Sequence, residues 1–189
     1  MEAYLTEAEE AYRLDPLSPP MIRHQGEAYF HSGRLEEALA HWKKPIASDP
    51  RDAYHGLADY YMHKGDFDQA EAAVRELEKI APNTDGALLC RGFLAGLKGD
   101  RDTALRTISK LDELFKKGTS RQSSIGFIYF AMGDLDRFFE YMDAAAKDHT
   151  MPALRIRLSP LFAKARRDPR FLMLIITGSR PLQPNKPQG

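Results

Sequence analysis

The chain has 189 residues, 43% hydrophobic and 29% charged, enough for one compact domain or short solenoid but not for two independent domains. Lys plus Arg and Asp plus Glu both number 27, so the formal net charge is zero and the basic surface needed for non-specific nucleic-acid binding is absent. The single cysteine, Cys90, cannot close an internal disulfide, and no apolar run reaches the length of a membrane span. Met1-Glu2-Ala3-Tyr4 offers neither a basic nor an apolar leader region, so the expected location is the reducing cytoplasm, away from membranes.

Residues 2–16 predict a single helix, with Tyr4, Ala8, Ala11 and Leu14 at helical spacing and Asp15-Pro16 closing it. Four helical hairpins are expected after it, over about 19–50, 51–82, 85–116 and 119–150. Their punctuation is regular. Gly33, Gly65, Gly99 and Gly133 lie 32, 34 and 34 residues apart, and Pro16, Pro50 and Pro82 close successive units. Seven residues before each glycine stands a small residue (Gly26, Ala58, Gly92, Gly126), and four before it Tyr29, Tyr61, Ala95 or Tyr129. Five residues after it come Ala38, Ala70, Ala104 and then Phe138.

Each feature has a physical reason in a pair of antiparallel helices. The small residue and the following alanine let the two helices approach closely. The glycine supplies the left-handed conformation that ends the first helix. Asp66, Asp100 and Asp134 follow it and can accept from the free amides that open the second helix. Proline then stops that helix.

A period near 34 residues with this grammar resembles the tetratricopeptide repeat family, whose pattern runs W-x2-L-G-x2-Y, A-x3-F, P. Ile22, Gln25, Gly26, Tyr29, Ala38, Trp42 and Pro50 carry it in the first full unit. Tyr54, Leu57, Ala58, Tyr61, Ala70, Val74 and Pro82 carry it in the second. The third unit has Leu88, Gly92, Ala95, Ala104 and Ile108 but no closing proline. The fourth places Phe138 where the small alanine belongs, which leaves the spacing of its helices open. The resemblance covers residues 4–150 and implies an all-α, right-handed superhelix of stacked helix pairs, one domain over 1–177. The helix at 2–16 then reads as the remainder of an upstream repeat, with a natural N-terminal cap as the alternative.

Past Thr150 the pattern changes. Leu158-Ser159-Pro160-Leu161-Phe162 and Arg167-Asp168-Pro169-Arg170-Phe171 resemble the endings of repeat arrays in prokaryotic signalling proteins, behind cyclase, winged-helix or kinase domains. Residues 151–177 are expected to cap the array, with Phe162, Phe171, Leu172 and Ile175 covering the core of the last repeat. Residues 178–189, rich in proline, are expected to form a flexible tail.

No metalloprotease, nucleophile-elbow, dinucleotide or phosphate-loop motif is present, and the expectation is a non-catalytic chain without cofactor. The aspartates after the turn glycines supply too few oxygens for calcium. His55, Asp59 and His63 fall on one helical face, but His55 and His63 are about 12 Å apart along it and cannot share an ion, so no metal is assigned. Cys90 reads as a small buried hydrophobe.

The family resemblance also implies a working surface, the concave groove lined by the first helix of each repeat. On this sequence its lining is Arg23, Glu27, Phe30 and His31; then His55, Asp59, Met62 and His63; then Leu89, Phe93 and Leu97; then Ser123, Phe127 and Phe130. Some members clamp a partner's C-terminal carboxylate with asparagines; Glu27 and Asp59 stand there instead and would repel it. The partner expected is therefore a protein segment with a basic end and an aromatic or aliphatic end. Two alternatives stand beside this. Phe93, Phe127 and Phe130 could be core, or be covered by the chain's own C-terminal segment; and the array could serve self-association as a homodimer through its terminal repeats.

Overall fold

A computed structural model describes residues 2–16, 18–44, 50–148 and 150–178. Among them are α1 (Glu2–Leu14), α2 (Pro19–His31), α3 (Leu35–Trp42), α4 (Pro50–Lys64), α5 (Phe67–Ile80), α6 (Asp85–Leu97), α7 (Arg101–Lys116), α8 (Gln122–Ala131), α9 (Leu135–Lys147), α10 (Ala153–Leu158) and α11 (Arg170–Gly178), and no strand. Helices adjacent in the chain pack as pairs, α2 on α3, α4 on α5, α6 on α7 and α8 on α9, and α1 lies on α2. The result is an all-α solenoid. The tail expected from residue 178 lies outside the described residues, apart from Gly178 itself.

The turns between paired helices share one hydrogen-bond arrangement. At Gly33 (φ 78°) the amide of Arg34 donates to the Tyr29 carbonyl at 2.9 Å and that of Gly33 to Phe30 at 3.1 Å. This six-to-one and five-to-two pairing satisfies the last carbonyls of α2 and needs the left-handed residue that glycine supplies. The residue after the glycine then opens the next helix. Asp66, Asp100 and Asp134 accept from the amides of Gln69, Thr103 and Arg137 at 3.2, 3.0 and 3.1 Å. Arg34 makes no such cap; its guanidinium instead bridges Glu9 of α1 and Glu37 of α3 at 2.9 and 2.8 Å. The third pair, which lacks a closing proline, is ended by the same device at Gly118, where Thr119 donates to Leu114 at 2.9 Å.

Helix-to-helix distances are set by residues without a side chain. A Cβ on Gly96 would stand 2.9 Å from Ala131 Cβ and 3.0 Å from the Met132 amide nitrogen, so α6 and α8 meet backbone to backbone. The spacing left open by Phe138 is also settled. A Cβ on Gly126 would lie 2.9 Å from Tyr141 Cβ, so α8 and α9 remain close-packed. Phe138 is fully buried, its ring 5.2 Å from that of Phe130.

In the capping segment Phe162 packs on Phe127, Phe130 and Phe138 of the last repeat and reaches Phe93 of α6 as well, while Leu172 departs from expectation. α11 packs against α9 and buries Leu174, while Leu172 is 66% exposed. Helical spacing accounts for this: Phe171, Leu174 and Ile175 share one face, and Leu172, Met173 and Ile176 fall on the other.

Candidate functional site: the concave face and the segment that fills it

First helices α2, α4, α6 and α8 line the concave face, and residues 151–162 lie across it. Polar contact comes from Arg155, whose guanidinium donates to Asp59 Oδ2 at 2.7 Å and lies 5.6 Å above the Phe127 ring. Apolar contact comes from Phe162. Its ring is 4.7 Å from Phe127, 5.0 Å from Phe130 and 6.0 Å from Phe93, and none of it is exposed. Leu161 packs on the smaller cluster formed by Phe30, Trp42 and Tyr60. Arg166 holds the segment's own shape, donating to the carbonyls of Ile156 and Ser159 at 3.1 and 2.8 Å.

The expected lining residues therefore fall into two groups. Phe93, Phe127 and Phe130 are buried beneath Phe162, so the chain's own C-terminal segment covers the aromatic end. Met62 is buried in the core, Leu97 packs against it partly exposed, and His63 sets its ring 6.0 Å from Phe30. The other group borders cavities, although Phe30, His31, Asp59, Leu89 and Ser123 within it are themselves buried. Arg23, Glu27, Phe30, His31, His55 and Asp59 border a cavity of about 630 Å³ together with Tyr4, Met151 and Arg155. Leu89 and Ser123 border an adjoining cavity of about 500 Å³, which shares Arg23, Glu27, His55 and Arg155 with the first. The two openings form one mixed-charge trough beside the internal segment.

Electrostatics in this trough are set by burial. His31 is pushed down to about 4, chiefly by burial and then by the Arg155 charge, so it is neutral near pH 7. Its Nδ1 is buried without a hydrogen-bond partner. Tyr4, whose ring stacks 6.3 Å from that of His31, is pushed up to about 12 by burial and by Glu27. Cys90 is fully buried, and burial followed by the Asp59 charge holds its thiol well above the usual range, so it is no nucleophile in this state. Arg91, adjacent to it in sequence, turns away to Glu71 and Glu78, each at 2.7 Å.

Sequence reasoning missed three residues here. Arg155 belongs to a short segment with no repeat signature. Tyr4 reaches His31 from α1. Cys90 stands near Asp59 only because α6 stacks on α4. Each depends on a contact distant in sequence, and no local pattern marks any of them.

Comparison with known proteins bears on the same features. Family models described as "Tetratricopeptide repeat" match residues 52–84 and 23–44, the second and first full units. These two stretches are similar to tetratricopeptide repeats, and together they span less than half of the chain. Among solved structures it is similar to TTC0263, a thermophilic TPR protein of Thermus thermophilus. The TM-score is 0.58 at 24% identity, covering 83% of this chain and 88% of that one. It is also similar to a chain of the APC/C hetero-tetramer Cut9–Hcn1, with a TM-score of 0.56 at 16% identity. That match covers 92% of this chain and 38% of the other. At these identities the likeness is one of fold. No curated protein matches the sequence significantly. None of the described helices is long and apolar enough to cross a membrane.

Proposed function

We propose that this tetratricopeptide array is a non-catalytic protein-interaction module whose concave face takes a segment of a partner protein. The segment carries a cationic group for Asp59 and, one or two helical turns away, an aromatic or aliphatic group for the Phe93–Phe127–Phe130 pocket. One observation supports this above the others: the chain's own residues 151–162 already bind in this way, with Arg155 on Asp59 and Phe162 in the pocket. The internal segment is then a stand-in that a partner displaces or extends. Arg23, Glu27, His31 and His55 along the open trough contribute polar selectivity. The resemblance of Pro160-Leu161-Phe162 and Asp168-Pro169-Arg170-Phe171 to array endings favours a regulatory or scaffold role in a prokaryotic signalling protein. Cut9–Hcn1, similar in fold, is itself a hetero-tetramer.

The test uses an opened array. A Phe162→Ala, Arg155→Ala variant, shown helical by circular dichroism, is titrated with a labelled peptide of residues 151–164. Saturable binding that Asp59→Asn weakens supports the reading; no binding to the opened, folded variant overturns it.

A second reading, end-to-end self-association, is favoured by a different surface. Leu172 and Met173 on α11 are 66% and 63% exposed, and Leu14 at the end of α1 is 73% exposed. Sedimentation velocity of the wild type beside Leu172→Glu separates the two: a concentration-dependent dimer abolished by the substitution supports self-association, and a monomer throughout removes it.

A further inference from the structure

We propose that His55, Asp59 and Cys90 form a site for a thiophilic divalent cation of the Zn²⁺ class, in competition with the Arg155 guanidinium. Three donor atoms, an imidazole nitrogen, a carboxylate oxygen and a thiol sulfur, lie within 4.8 Å of one another. They come from two stacked helices, α4 and α6. His55 and Asp59 stand four residues apart on one face of α4, with Nδ1 and Oδ2 at 4.0 Å.

Tetrahedral zinc holds sulfur at about 2.3 Å and nitrogen or oxygen at about 2.0–2.2 Å, so neighbouring donors stand about 3.3–3.7 Å apart. The three donors must close from within 4.8 Å to that spacing, and His55, the partly exposed member, is the one with room to move. A sulfur–nitrogen–oxygen set selects zinc or cobalt over magnesium or calcium, which need several hard oxygens.

Two further observations point to a ligand. Arg155 already places a cation against Asp59 at 2.7 Å, yet its Nε is buried without a hydrogen-bond partner, so the guanidinium fits the place incompletely. His31, nine-tenths buried, borders the same cavity with Nδ1 unpartnered. That cavity, about 630 Å³, is bordered by His55 and Asp59 and gives the ion a path of entry. Coordination sends the Cys90 thiol proton to solvent and places the ion where the Arg155 charge stands, so the guanidinium must leave Asp59. Three protein donors leave the fourth position open toward the cavity. The site rests on donor geometry and not on the peptide-binding reading, with which it competes for Asp59.

The experiment titrates the reduced full-length chain with Co²⁺ and follows absorption. The chain has one cysteine, so any thiolate-to-cobalt charge-transfer band reports Cys90 alone. The expected result is one equivalent of tetrahedral Co²⁺ with that band, displaced by Zn²⁺. Binding weakens at least about tenfold in His55→Ala and tightens about tenfold in Arg155→Ala, where the competing cation is gone. Cobalt bound without the band in both wild type and Arg155→Ala overturns the proposal, as does a band indifferent to His55→Ala. So does the absence of binding in both proteins.

Discussion

Arg155 and Asp59 meet at 2.7 Å across the concave face although 96 residues separate them in the chain. Their side chains are 23% and 11% exposed, shielded enough that removing one partner strands the other. Asp59→Asn should therefore lower stability by about 2 kcal/mol, measured by urea denaturation. A double-mutant cycle with Arg155→Ala should return a coupling of about 1–2 kcal/mol. Additive single effects would mean the pair contributes no stability of its own.

The same segment has an apolar anchor, and it should dominate. Phe162 is fully buried in contact with four aromatic rings, those of Phe93, Phe127, Phe130 and Phe138, so Phe162→Ala removes a complete side chain from a packed site. A loss of about 3–5 kcal/mol is expected. Hydrogen exchange should show residues 153–162 deprotected while α4 to α9 keep their protection. Leu172→Ser, on the exposed face of α11, serves as the contrast and should change stability by no more than about 0.5 kcal/mol.

The difference between those two positions shows what the sequence could and could not disclose. Turn glycines, small residues and capping aspartates act within a few residues of themselves, so Gly33 or Asp66 can be placed by counting. Groove lining by Arg23, Glu27, His55 and Asp59 follows from the repeat register, because every unit presents the same helix face. The fold-back of Arg155 and Phe162 has no such register. Pro160-Leu161-Phe162 reads as a cap by resemblance, but which surface it covers depends on long-range packing that no local pattern encodes. The approach of Cys90 to Asp59 is hidden for the same reason, since it joins two repeats at positions the family pattern leaves free.

Glycine has two separate roles here, and substitution should tell them apart. Gly33 adopts φ 78° with open space around its absent Cβ, so Gly33→Ala should cost about 1 kcal/mol through backbone strain alone. Gly96 lies inside α6, where alanine is the better helix former by about 1 kcal/mol. Its Cβ would nonetheless meet Ala131 Cβ at 2.9 Å and the Met132 amide nitrogen at 3.0 Å, and backbone does not yield as a side chain can. Gly96→Ala should thus destabilise by about 1–3 kcal/mol despite the gain in propensity. If thermal unfolding showed it neutral or stabilising, α6 and α8 would have room that the structure denies them.

Acid should weaken the array through His31. Its folded pKa is pushed down to about 4 from an ordinary 6.5, first by burial and then by Arg155, with Asp59 opposing. The unfolded chain therefore takes up a proton at a pH where the folded chain does not. Stability from this group is complete above about pH 6.5, falls as pH drops through the window to about 4, and levels off below it. A gap of that size corresponds to about 3 kcal/mol across the window. His41 and His63 are lowered by burial too, so the wild-type slope alone does not isolate His31. The comparison is with His31→Gln, which keeps a polar side chain but cannot titrate. Measured at pH 7 and at pH 4, the variant should lose about 2–3 kcal/mol less than wild type. Arg155→Ala should act in the same direction and more weakly, because it removes the second cause of the shift and leaves the burial. Equal losses in wild type and His31→Gln would mean that His31 is solvated in the folded chain, and that the segment over the concave face is open in solution.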